Sequence, residues 1–319
     1  MREYAFELAL CSCLERETDW IVSRQLGGSV AAPGGRVVDV VGVVPGPGFD
    51  RRAAITADTI PPLAIESDVG VGAPVRPERA FDCSADVARR VADAAVDVGF
   101  FEADQRGGRR LVRRATRYPD DWFSSLVGIE NKPDLGSPGD LESQLRTDAS
   151  LALFDEVVLA TESYVTRAHL NRLPEQVGVW RFDPDEGDTT VVRQPTRLPV
   201  DETGVEPVDS RPLRTDVALV PAAEKARIRR RIAERAYGKG WRPDPPGCVH
   251  ATVTDDGRPY CEQFDRVVHP AAECGDGCPS FTGADRPTFD RASFRDDRTP
   301  WVADPTGVVR RQTGLDRFS

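Results

Sequence analysis

A lysine stands two residues after a glutamate in the run Leu126-Val127-Gly128-Ile129-Glu130-Asn131-Lys132, in a chain that carries three lysines against thirty-nine arginines. The two cations differ in kind: guanidinium is a planar fork that keeps its proton, whereas ammonium is a compact point charge that fits beside a reacting oxygen. In a strand, positions i and i+2 share a face, so Glu130 and Lys132 should project together, about 7 Å apart at the backbone. A second strand-like run, Arg36 to Val44, holds one carboxylate, Asp39, among its valines. If those strands are neighbours, two carboxylates and one ammonium converge, the arrangement that metal-assisted phosphodiester hydrolysis requires. Asp39 and Glu130 would hold a Mg²⁺ or Mn²⁺ ion that keeps several waters, acidifies one of them and polarises the phosphate. Lys132 would orient the attacking water or offset charge on the pentacovalent oxygens. Glu7, beside the apolar stripe of a helix, would add a further carboxylate, since a half-buried carboxylate needs a partner or a metal. Each residue also has a plainer reading: a solvated strand face for Glu130 and Lys132, an arginine partner such as Arg36 for Asp39, and a partly exposed helix position for Glu7.

A second cluster lies late in the chain. Cys248, Cys261, Cys274 and Cys278 fall within thirty-one residues, separated by twelve, twelve and three positions, with His250 and His269 beside them. Four thiolates suit tetrahedral Zn²⁺, and a small Gly/Pro-rich module with few large apolar residues needs such a staple to fold. Seven cysteines in total, an odd count, argue for thiols or metal ligands over a disulfide framework.

The elements that must position these residues follow from apolar period and turn signals. A helix is expected over Arg2 to Glu17, with Tyr4, Leu8, Cys11 and Leu14 along one stripe, followed by strands at Trp20 to Leu26 and Arg36 to Val44. An insertion spans about residues 45–121, with a helix at Ala85 to Val98 and a basic hairpin around Gly107-Gly108 that reads either as the end of a winged-helix unit or as a solvated ribbon. The core then resumes with the Glu130 strand, a helix from Asp140 to Leu153 with Asp140 as N-cap, a strand at Glu156 to Thr161, a helix around Tyr164 to Leu173, and strands at Val177 to Phe182 and Thr189 to Arg193. Residues 1–195 thus form one α/β unit. Residues 196–221 read as a linker, and 222–319 as a basic helix, the cysteine module and a polar tail. The helix Ala222 to Tyr237 carries six cations, which serve either as a clamp on a phosphate backbone or as ordinary surface ion pairs.

With these parts in order, the chain resembles the PD-(D/E)XK nuclease superfamily. The match rests on the helix residue Glu7, the Asp39 strand, Glu130-Asn131-Lys132, and the following helix with Gln144, together covering most of residues 1–195. The resemblance implies a restriction-endonuclease-like αβββαβ core, a metal-dependent nuclease activity and a catalytic part for Gln144. RecB-type members often carry a tyrosine four residues after that glutamine, where this chain has Asp148. The ninety-one positions between Asp39 and Glu130 replace a short hairpin, which leaves Asp58, Glu66 and Asp68 as alternative first carboxylates. Some RecB-type nucleases brace the core with a cysteine-held 4Fe-4S cluster, an alternative to zinc in which Cys11 or Cys13 would join the late thiols. Within the superfamily the chain is similar to haloarchaeal members.

Composition agrees with a salty cytosol: lysine is scarce, aspartate abundant, and the net charge −10. At molar salt the screening length falls to about 3 Å, so an acidic chain is not barred from DNA. The charged N-terminus is unlike a secretory signal, and no run approaches the roughly 18 apolar residues of a membrane span, so a soluble, cytoplasmic protein is expected. Two functions remain: a nuclease acting on nucleic acid, DNA first, in repair or defence, and a non-catalytic nucleic-acid-binding or scaffold protein with a structural zinc module.

Overall fold

Unbroken valine-rich runs such as Val37–Pro45 have apolar groups on both faces and demand a sheet covered on both sides. The computed structural model, which describes residues 2–31, 35–53, 60–115, 119–137, 139–211 and 213–290, meets that demand with a mixed α/β architecture. Helix α1 (Glu3–Glu17) leads into antiparallel strands β1 (Ile21–Gly27) and β2 (Val37–Pro45). The insertion follows as α2 (Phe49–Ala53), α3 (Pro62–Glu66), α4 (Pro77–Ala80), α5 (Ala85–Asp97) and the hairpin β3 (Phe101–Arg106) and β4 (Arg109–Arg114). Strand β5 (Phe123–Asn131) then lies antiparallel to β2. Through α6 (Leu141–Leu151) the chain crosses to β6 (Glu156–Thr161), parallel to β5, and through α7 (Arg167–Arg172) to β7 (Gly178–Asp183), parallel to β6. Strand β8 (Asp188–Arg193) closes the sheet antiparallel, giving the order β1-β2-β5-β6-β7-β8.

Residues 196–221 are not a linker. They contain the hairpin β9 (Gly204–Arg211) and β10 (Arg214–Val220), which packs on α6 through Gly204 beside the Leu151 carbonyl. Glu206 on this hairpin accepts hydrogen bonds from the N–H groups of Val30 (3.0 Å) and Ala31 (2.7 Å). The Pro, Asp and Thr content that suggested a connector belongs to a solvated ribbon, whose exposed face has no need of apolar side chains.

Helix α8 (Ala222–Lys239) covers one face of the sheet together with α6: Ile228, Ile232, Ala236 and Tyr237 meet Leu145, Leu126, Leu159 and Val41. Helix α1 covers the other, where Phe6, Leu10 and Leu14 pack on Val22, Val40, Ile129 and Val158. Each such fully buried side chain contributes about 1.5–3 kcal/mol. The insertion has a third core of its own, with Phe81, Val91, Phe100, Phe101 and Val112.

The cations of α8 are spent within the chain. Arg229 donates to the Leu153 carbonyl (2.5 Å) and the Asp155 carboxylate (2.7 Å). Arg227 and Arg231 pair with Asp68, and Arg231 and Arg235 with Asp82, fastening the insertion. Glu234 pairs with the fully buried Arg52, which lies over the Tyr237 ring. A backbone clamp on nucleic acid therefore loses most of its groups, leaving Arg230 exposed. The cysteine segment adds β11 (Ala251–Val253), β12 (Pro259–Cys261), β13 (Arg266–Val267) and α9 (Pro270–Glu273). Most of the expected polar tail, residues 291–319, lies outside the described residues. Among the described residues, no helix is long and apolar enough to cross a membrane.

Candidate carboxylate site and thiol cavity

Strands β2 and β5 pair with Val40 opposite Ile129 and Val41 opposite Gly128. One further step along that register sets Asp39 against Glu130. Both project to the α6 and α8 side, as Val41 and Leu126 do. Glu130 is 2% exposed. Burial and then the charge of Asp39 push its carboxyl from 4.5 up to about 8. Asp39 is half-buried and also raised by burial, against two donors: the Asn131 N–H at 3.0 Å and the Gln25 amide at 3.2 Å.

Glu7 lies deeper than the border of a stripe: burial extends over most of α1, and Glu7 is 4% exposed. Burial raises its pKa, opposed by Arg24, whose Nε donates at 2.5 Å. The Gln25 amide at 3.0 Å and the Asn131 amide at 3.1 Å donate to its other oxygen. Gln25 and Asn131 thus tie Glu7 to Asp39 across the end of the sheet. Gln25 does so with φ at 54°, a left-handed conformation uncommon outside glycine and often kept at functional positions. The Oδ1 of Asn131 is buried and accepts no hydrogen bond among the described residues.

The remaining charge at Glu130 is met from β2's approach and from α6. Arg36 donates to Glu130 and, with Nε at 3.0 Å and Nη2 at 2.6 Å, to both oxygens of Asp148. Burial works against the Arg36 charge, but Asp148 and Glu130 outweigh it and hold the guanidinium protonated. Asp148 is itself raised by burial, opposed by Arg36. The arginine proposed for Asp39 therefore serves its neighbours instead.

Lys132 lies one residue past the end of strand β5 at Asn131, with Pro133 following. The Lys132 N–H still donates to the Ala160 carbonyl, but its ammonium lies 3.4 Å from Glu3 at the start of α1, at the rim of the cluster. Gln144 sits one turn before Asp148 on α6, partly exposed, and its side chain makes no hydrogen bond among the described residues. Asp140 occupies the N-cap of α6 without a side-chain capping bond. Of the alternative carboxylates, Asp68 is committed to α8 arginines, while Asp58 and the Glu66 side chain lie outside the described residues. Sequence reasoning missed Arg24, Gln25, Arg36 as a bridge, Asn131 and Asp148. Only Asp148 carried a signal, as the polar residue at a helix position four after Gln144.

In the cysteine segment, Cys248, Cys261, Cys274 and Cys278 line one small cavity of about 30 Å³, with His250 beside them. All seven thiols are free. Burial, with the neighbouring Cys261, Cys278 and Cys248 behind it, pushes the Cys274 thiol up. Cys11 is buried in the core under α1, and the Cys13 thiol donates to the Gly187 carbonyl at 3.3 Å, so neither lines that cavity. Among the described residues, no group of three or more His, Cys, Asp or Glu side chains is arranged to hold a metal ion.

No curated protein and no solved structure matches the chain. A family model matches residues 21–283, a span that takes in Asp39, Glu130, Lys132, Gln144 and the four clustered cysteines but stops short of Glu7. The chain therefore belongs to the family that this model describes, a family of unknown function, DUF5787.

Proposed function

We propose that this protein is a divalent-metal-dependent nuclease on a restriction-endonuclease-like core, acting on phosphodiester bonds of DNA, with Asp39 and Glu130 as its cation-binding pair. One observation carries the reading. Two carboxylates on adjacent strands oppose each other in register, and the Arg36 guanidinium beside Glu130 is shared with Asp148. Such a pair lacks positive charge. Mg²⁺ needs only one or two protein carboxylates and fills its shell with water, so a pair suffices where no three-donor group is arranged among the described residues. When bound, the metal would supply an acidified water and a polarised phosphate.

The chain's own groups have defined parts in this reading. Gln25 and the Asn131 N–H hold Asp39 in place, and Arg36 holds Glu130 while excluding water from the α6 side. Lys132, at the rim, would exchange Glu3 for a phosphate oxygen and offset charge in the transition state. Cleavage of DNA by purified protein with added Mg²⁺ or Mn²⁺ tests the proposal. Asp39→Asn and Glu130→Gln should abolish cleavage, and Lys132→Ala should lower it on the order of 10²-fold. Cleavage indifferent to a chelator, or none on any nucleic acid, overturns the proposal.

A second reading has its own support. Arg36 bonded to both Glu130 and Asp148, and Lys132 resting on Glu3, form a network already satisfied without a ligand, as in a non-catalytic nucleic-acid-binding or scaffold protein. That reading predicts DNA binding unchanged by Glu130→Ala and no uptake of divalent ion near β5.

A further inference from the structure

The segment from Arg242 to Gly283 has little means of folding by burial. Its strands are two or three residues long, Phe264 and Val249 are exposed, and apart from prolines its buried apolar side chains are Cys248 and Val268. A module of this size ordinarily needs a covalent or metal staple. Yet it holds a defined position against α1. Arg2 pairs with Glu273, the Tyr4 ring lies 4.1 Å from the His269 ring, and Arg242 forks onto the buried Glu15 at 3.1 and 2.5 Å. Between these contacts lies the cavity lined by four thiols from four separated places: the turn before β11, the end of β12, the C-cap of α9 and the turn that follows it.

We propose that Cys248, Cys261, Cys274 and Cys278 bind one zinc ion as a tetrathiolate, and that this ion is the staple by which the module clamps α1. The donor set is the one that closed structural zinc sites use, and the four thiols share the wall of one small cavity with room for an ion. The thiols must turn inward to reach the Zn–S distance of about 2.3 Å, each releasing its proton to solvent as the bond forms. His250 on the cavity wall remains outside the shell. Because Arg2 at the N-cap of α1 and Tyr4 in its first turn meet Glu273 and His269, which precede Cys274 in sequence, the ion restrains the turn of α1 that precedes Glu7. The proposal does not depend on nuclease activity.

The experiment uses the full chain, purified under reducing conditions. Elemental analysis should find about one zinc per chain, and Co²⁺ added to chelated protein should give the absorption of a tetrahedral thiolate site. Hydrogen exchange should show residues 3–17 exchanging on the order of tenfold faster after chelation, with β6 unchanged. Cys278→Ser should lose the zinc; should that variant fail to fold, the Co²⁺ titration of wild-type protein decides alone. Iron with sulfide and visible colour, a thiol count showing two disulfides among the four cysteines, or α1 exchange indifferent to chelation each overturns the proposal.

Discussion

Replacing Glu130 with glutamine keeps the shape of the side chain and an oxygen for Arg36, but removes a group whose ionisation the fold opposes. In the unfolded chain its carboxyl titrates near the ordinary value of 4.5, and in the folded protein near about 8. Between those values the native state holds a proton that the unfolded state has lost, so stability falls as pH rises. The contribution is fully present below 4.5 and gone once pH has passed through about 8. At about 1.4 kcal/mol per pH unit, the interval sets a ceiling of roughly 5 kcal/mol. Glu7, Asp39 and Asp148 are raised as well and act with the same sign, so the slope is not that of Glu130 alone. Urea unfolding of wild type and Glu130→Gln across pH 5 to 9 separates the effect. Wild type should lose several kcal/mol over that range, and the variant distinctly less, so that the variant is the more stable protein at pH 9. Mg²⁺ at 100 times its Kd should restore about 2.7 kcal/mol to wild type at pH 9 and little to the variant. Parallel pH curves for the two proteins would show that Glu130 is not held protonated, and would refute the electrostatic account of the cluster.

Two further outcomes follow from the same packing. Arg36→Met leaves Glu130 and Asp148 buried without their shared cation and should destabilise the protein by about 3–5 kcal/mol near neutral pH, read from urea midpoints, with partial recovery in acid as the carboxyls protonate. Gly128→Ala places a Cβ 2.8 Å from the Phe154 ring beneath β5, and should lower stability by about 1–3 kcal/mol in thermal unfolding while leaving the pH dependence intact.

The outline of the fold was legible because it rests on local rules. Apolar runs bounded by glycine and proline marked β1, β2, β5 and β6 within about one to three residues, and the glycine pair at 107–108 marked the turn between β3 and β4. The hairpin β9–β10 was hidden because a ribbon with one face in solvent carries polar residues that also suit a connector. In the candidate site, Glu7, Asp39 and Glu130 could be singled out because a carboxylate among apolar neighbours contradicts its surroundings. The groups that hold them could not be, since Arg24, Gln25 and Arg36 are ordinary at their own positions and acquire meaning only from what lies across the sheet.

Residue types and local period therefore determined the α/β class, most element positions and the identity of the acids and thiols in question. Tertiary structure alone decided that Asp39 faces Glu130 across ninety-one positions of chain, that Arg36 bridges Glu130 to Asp148, that Lys132 turns to Glu3, and that four scattered cysteines line one cavity. The reason is range: hydrogen-bond geometry and side-chain alternation act over a few residues, whereas charge pairing and cavity lining depend on which distant segments the sheet and its covering helices bring within a few ångströms.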